Sequence, residues 1–172
     1  MSYKGEIVAK AVDTLLQDSL AAAIAAIEAE WSADPIELND IGTWHMGYRP
    51  VTLEQTKDQF PIITIMIGSS VPTGTADQFV LATSLYDVFI NVDVVGSSDE
   101  VEDMEAEEVV TKKLFRYVQA IINVLESNSQ IADDVALQLL PSVEISDVER
   151  QIADGVLVFC TQRATLGMQV ES

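Results

Sequence analysis

The chain has 172 residues, 48% of them apolar, and 28 Asp and Glu against 9 Lys and Arg give it a formal charge of −19. A chain of that size can bury a core without disulfides or metals and needs only one domain, residues 1–172. The charge, with no Lys, Arg or His from Asp58 to Thr111, argues against binding to phosphate backbones or anionic lipid, since both depend on clustered cations.

The opening stretch "MSYKGEIVAK" lacks the apolar segment of a signal peptide, and no apolar run approaches the ~18 residues that suggest a membrane span, so a soluble, non-secreted protein is expected. From about Glu6 to Trp31, apolar residues recur at Val8, Val12, Leu15, Leu16, Leu20, Ala23, Ile24, Ile27 and Trp31. That three-to-four spacing predicts one helix with a single buried face. Asp34-Pro35 ends it or lies just beyond, because proline disfavours a helical residue before it. "DPIELNDIGTWHMGYRP" reads as a loop holding at most a short strand.

"FPIITIMIG", Phe60 to Gly68, is a short Ile-rich run and reads as a buried strand. "GSSVPTGTADQF" then has the Gly, Ser, Pro and Thr content of a mobile loop. In "LYDVFINVDVV" the side chains of Tyr86, Val88, Ile90, Val92 and Val94 share one face, and Asp87, Phe89, Asn91 and Asp93 the other. Gly96 ends that strand, and Ser97 with Glu100 fits the Ser-x-x-Glu box of a helix start. Met104, Val110, Leu114, Tyr117, Ile121 and Leu125 continue at helical spacing, and "SNSQIADD" breaks the helix. "ALQLLPSVEI" and "GVLVFCTQRATLGMQV" read as a final strand pair joined by the polar turn "SDVERQIADG". Runs of adjacent strands between helices predict an α+β domain: a mostly antiparallel sheet of about four strands with two long helices packed on one face.

Seven carboxylates fall within the ten residues from Asp99 to Glu108. Acids in a first helical turn meet the positive end of the peptide dipoles, each favourable by ~0.3–1 kcal/mol at best. The run therefore reads as a solvated helix start, as an acidic patch facing a partner, or as a chance site for a hard cation. It has neither the Asp-x-Asp-x-Asp-Gly loop of a calcium site nor the Glu-x-x-His of a carboxylate-bridged iron pair. Periodicity puts Glu102, Asp103, Glu105, Glu107 and Glu108 on the solvent side of the helix, with Met104, Val110, Leu114 and Ile121 toward the sheet.

His45 is the only histidine, which excludes a two-histidine zinc site, and there is no Gly-x-Ser-x-Gly nucleophile turn. "GSSVPTGT" has the wrong glycine spacing for a phosphate loop and no lysine after it. No catalytic, cofactor-binding or metal residues are assigned. Cys160, the single cysteine, forms no internal disulfide and reads as a small core residue within "VLVFC".

The strands "FPIITIMIG" and "GVLVFC" are apolar on both alternating sets. Helices on one side would leave a second apolar face to be buried in self-association. Trp44, Tyr48 and Phe79 sit in irregular contexts where aromatics either mark contacts or fold back on the core. With Val71 in the Gly/Ser/Pro loop, Phe89 on the strand and Leu157 and Phe159 near the C-terminus, they form the set of candidate interface residues.

The long N-terminal helix, the apolar strand, the Gly/Ser/Pro loop, "LYDVFINVDVVG" running into a second helix and the closing "GVLVFCTQRATLGMQVE" together resemble the tail-terminator and tail-completion proteins of long-tailed bacteriophages. The likeness spans nearly the whole chain in its order of elements. It implies a virion protein made in the host cytoplasm that forms a homo-oligomeric, hexameric ring. Such a ring ends the tail tube, joins it to the head connector, and lets DNA through an acidic lumen without specific binding. The partners implied are further copies of the chain, a tail tube protein and a head-tail connector protein. No cofactor, membrane contact or catalytic residue comes with it. Another neck or tail-tube component is the neighbouring reading, and a small ligand-binding or enzymatic α+β domain using His45 and the carboxylates is the alternative from a different class.

Overall fold

The structure is a computed structural model that describes residues 4–47, 57–73 and 83–172. Helix α1, Lys4–Glu30, buries Val8, Val12, Leu16, Leu20, Ile24 and Ile27, the stripe its spacing predicts. Trp31 lies just past its end and is exposed rather than part of that stripe. Strand β1, Thr43–Met46, runs parallel to β2, Ile62–Thr73. Then come β3, Thr83–Gly96, helix α2, Ala106–Ser127, and the strands β4, Gln130–Ala132, β5, Val135–Ile145, β6, Glu149–Ala153, and β7, Val156–Glu171.

Among the described residues these strands form one seven-stranded sheet in the order β1-β2-β3-β7-β5-β4, with β6 paired to β7. Every pairing except β1 with β2 is antiparallel. Register aligns Ile65, Ile90 and Leu166 across β2, β3 and β7, and likewise Ile63, Val92 and Ala164. All six are fully buried in one core together with the apolar faces of both helices. From α2, Val110, Leu114, Tyr117, Ile121 and Leu125 enter it. Burial of each Leu or Ile side chain contributes ~1.5–3 kcal/mol.

Tyr117 ties the segment after α1 to α2. Its hydroxyl accepts from the Asn39 N–H at 2.7 Å and donates to the Asn39 carbonyl at 2.8 Å. Burial pushes the Tyr117 phenol well above its ordinary pKa. Asp34 makes a second tie. Burial opposes its ionisation, but the Ile36 N–H and the Arg116 guanidinium, 2.9 Å away, hold its carboxyl below the ordinary value of 3.8. A carboxyl with a depressed folded pKa contributes stability that is complete above the unfolded value and lost as pH falls through the folded one. The melting temperature is therefore expected to fall as pH drops below about 3.8, and Asp34→Asn should be less stable at neutral pH with a shallower acid decline. Parallel acid limbs in the two proteins would remove Asp34 from that account.

Several expectations are corrected. The sheet has seven strands rather than about four, and one pair is parallel. The Gly/Ser/Pro segment is strand as far as Thr73, because β3 continues opposite it and supplies backbone partners from Leu85 to Thr83. Helix α2 starts at Ala106, not at Ser97. Glu100 does accept from the Ser97 N–H at 2.9 Å, as the box predicts, but its other oxygen pairs with the buried Lys113 of α2. Val101 and Met104 pack with Ile36 and Val109 in a small separate cluster. Those contacts hold 97–105 as an irregular segment across the side of α2, and Met104 belongs to that cluster rather than to the sheet-facing stripe.

The face away from the helices also differs from expectation. Asp93, 8% exposed, receives two bonds from Arg163, from Nε at 2.7 Å and Nη2 at 3.0 Å. Thr165 donates to Asn91 Oδ1 at 2.8 Å. Asp87 accepts from Gln169 at 3.2 Å and from Ser69. A ladder of polar cross-strand pairs thus runs along this face between β3 and β7, with Asp87, Asn91 and Asp93 on it as their alternation predicts, whereas the two-sided apolar run in β2 predicts an apolar face.

Candidate functional site

β5 and β6 lie end to end along the same side of β7, interrupted only at 146–148. Together the three strands make one long hairpin. Its turn is Asp154–Gly155, with φ of 51° and 78°, the pair of positive values that a tight two-residue hairpin turn requires and that Asp-Gly adopts with least strain. Half of the polar stretch expected as a turn, Glu149–Ala153, is therefore strand.

The base of the hairpin is anchored. Gln162 bridges the Thr111 hydroxyl at 3.0 Å and the Ser146 carbonyl at 2.9 Å. Arg150 donates to Glu107 in the first turn of α2 at 2.6 Å, and that bond holds the Glu107 carboxyl below the usual range. Cys160, fully buried, packs beside them, and burial raises its thiol pKa.

The tip stands beyond this anchor. β3 ends at Gly96 opposite Cys160, so Val156–Phe159 pair with β6 alone. Among the described residues no further strand flanks the tip, and its side chains are open: Ile152 is 63% exposed, Val156 66%, and Leu157 and Val158 are exposed beside them. Further along the same hairpin Leu139, Leu140, Val143 and Ile145 are exposed as well. Eight of the twelve large apolar side chains exposed among the described residues lie on this one element. Scattered exposed apolar residues are ordinary, whereas a concentration of this kind marks a contact surface.

The candidate interface residues are dispersed. Leu157 is at the exposed tip, and Phe159 is half-buried opposite Gln151. Trp44 is half-buried against the main core. Phe89 lies on the polar-ladder face between two glycines, since a Cβ at Gly68 would stand 2.8 Å, and one at Gly167 3.3 Å, from its ring. Val71 belongs to β2. Tyr48 and Phe79 fall outside the described residues. Sequence reading named Leu157 but not Ile152, Val156 or Val158. The signal available was the Asp154-Gly155 pair, which a tight two-residue hairpin turn favours.

Of the acids, Glu102, Asp103, Glu105 and Glu108 are exposed. Glu108 pairs with Lys112 at 2.8 Å one turn on, while Glu107 is the half-buried partner of Arg150. Glu105 caps α2 without a side-chain bond. Among the described residues no group of three or more His, Cys, Asp or Glu is placed to hold a metal ion, and no helix is long and apolar enough to cross a membrane.

No family model and no curated protein matches the sequence. Among solved structures, a chain from a structure described as the virion of a native gene transfer agent particle aligns with 91% of this chain and 95% of its own length, at 12% identity and a TM-score of 0.29. The geometry of the hairpin stands apart from that distant alignment. It offers a convex, apolar, rigidly based projection, which suits docking against a protein surface better than binding a small molecule, for which concave sites are the rule.

Proposed function

We propose that this protein is a non-enzymatic structural subunit that assembles with copies of itself into a ring, hexameric in the tail-terminator reading. It would end the tail tube of a long-tailed bacteriophage and join it to the head connector. The observation that carries the proposal is the apolar hairpin tip, an anchored projection whose side chains are exposed and, among the described residues, flanked by no further strand. The sequence resemblance to tail-terminator and tail-completion proteins supplies the setting. The acidic composition suits it too, because a negative lumen does not grip the phosphates of passing DNA.

Two measurements test this. The mass of the purified protein, 18.8 kDa per chain, is expected to be a multiple of that value, alone or on addition of tail tubes. Electron microscopy of particles containing the chain is expected to show a symmetric ring at a tail end. A protein that remains monomeric with tubes present and is absent from particles would overturn the reading. A ring lying within the tube or elsewhere in the neck would keep the structural role and move its position.

The acids separate two roles within the ring. Replacing Glu102, Asp103, Glu105 and Glu108 by Gln or Asn should leave assembly intact if they line the lumen, with any defect confined to DNA delivery. If they dock a basic collar on an adjoining ring, the same change should weaken joining, and salt should weaken the unmutated contact.

A further inference from the structure

The helix-free face of the sheet carries a hollow of about 300 Å³ at one end of the polar ladder, between Asp87 and Phe89 of β3, Gly167 and Gln169 of β7, and Leu139 and Leu140 of β5. Gly167 leaves a gap in the row of side chains. The Phe89 ring leans over it and over Gly68 on the other side, where Cβ atoms would stand 3.3 and 2.8 Å from the ring, so the ring is held against sheet backbone. Leu139 and Leu140, 57% and 61% exposed, form the opposite wall. The charge of the hollow is negative and uncancelled. Asp87 accepts from the Ser69 hydroxyl and, at 3.2 Å, from the Gln169 amide, and these bonds hold its carboxyl below the ordinary value of 3.8. Both donors are neutral. Glu171, two residues past Gln169 and so on the same face of β7, likewise accepts from a neutral donor, Gln138, at 2.7 Å. No Lys or Arg among the described residues lines the hollow. The one cation of β3 and β7, Arg163, lies three rungs along the ladder with Asp93.

We propose that this hollow receives an arginine side chain of a separate, basic partner protein. An aromatic ring beside an ionised carboxylate suits a guanidinium, which stacks on the one and donates to the other, while its aliphatic stem covers the two leucines. Lysine, a strongly hydrated point charge, would use the carboxylate but less of the ring. Charge also decides the source. A second copy at −19 is repelled by this face, and the described arginines are already taken within the chain, Arg116 by Asp34, Arg150 by Glu107 and Arg163 by Asp93. A basic partner meets the opposite condition, since the field of the whole chain draws it in and the hollow then fixes its register. This contact is distinct from ring formation through the hairpin tip, and either can hold without the other.

The test titrates the full-length, isotope-labelled protein with N-acetyl-arginine amide and follows the Phe89 ring and the Leu139 and Leu140 methyl groups by NMR. Saturable shifts at these three residues are expected. The citrulline analogue, of the same shape without the charge, should bind about tenfold more weakly or worse, the worth of a hydrogen bond to a charged group. Asp87→Asn should cause a loss of the same size for the arginine probe. If that variant melts early, Leu140→Ser takes its place, removing part of the apolar wall at an exposed position. Equal binding of the citrulline analogue, binding unchanged by the variant, or an equally tight lysine analogue would overturn the assignment to arginine. Shifts as large along the acidic run 99–108 as in the hollow would overturn it too, as loose counterion attraction. Shifts of the same signals with protein concentration alone would give the hollow to a second copy and overturn the separate partner. None of these results bears on assembly through the hairpin tip.

Discussion

Replacing Gly96 by alanine is expected to destabilise the fold by about 2–3 kcal/mol, the upper range for forcing extra volume into a packed interior. A Cβ there would stand 2.6 Å from the Val110 nitrogen and 2.8 Å from its Cα. Both are backbone atoms of α2, so no side-chain rotation can make room. The helix would have to move off β3, and Val110 and Leu114 would lose part of their contact with the core. The first turn of α2 also holds the hairpin base through Glu107 and Arg150, so the shift should loosen the tip as well. Urea unfolding of the variant checks the first effect, and faster hydrogen exchange at 149–159 the second. Gly155→Ala is the control: its Cβ meets nothing within 4 Å, and only the cost of a positive φ, about 1–2 kcal/mol, applies. A Gly96→Ala protein within 0.5 kcal/mol, roughly the noise of a surface substitution, would mean that α2 is not seated as described.

A larger loss is expected from Arg163→Ala, about 3–5 kcal/mol. The substitution leaves the Asp93 carboxylate, 8% exposed, without the guanidinium that bonds both its oxygens. An uncompensated buried charge costs more than the pair ever contributed. Replacing both residues by apolar ones of similar shape, Asp93→Leu with Arg163→Met, should recover most of the stability. Chemical denaturation of the two single variants and the double variant decides the matter. A single variant as stable as the wild type would show that Asp93 is solvated in solution.

What the amino-acid order determined by itself is local. α1 and β3 are legible because their buried positions repeat at 3–4 and at 2 residues, and that period follows from backbone geometry before any tertiary contact exists. The α+β class follows from the order of such segments. Ser97 and Glu100 satisfy a local rule for a helix start, yet the run 97–105 is irregular. It is held otherwise by Lys113, thirteen residues on, whose buried amine captures the Glu100 carboxylate. The polar face of the sheet rests on pairs such as Asp93 with Arg163, seventy residues apart, which no window on the sequence brings together. β6 reads as a turn because Glu149, Arg150 and Gln151 show no apolar alternation. It is a strand because β7 supplies its backbone partners, and with solvent around a two-stranded tip there is no buried face to impose a pattern. Whether an apolar residue such as Val156 lies in the core or on a projecting tip was likewise decided only by where β3 stops, at Gly96 opposite Cys160. That is a matter of register between distant strands, set by how the helices and sheet pack together.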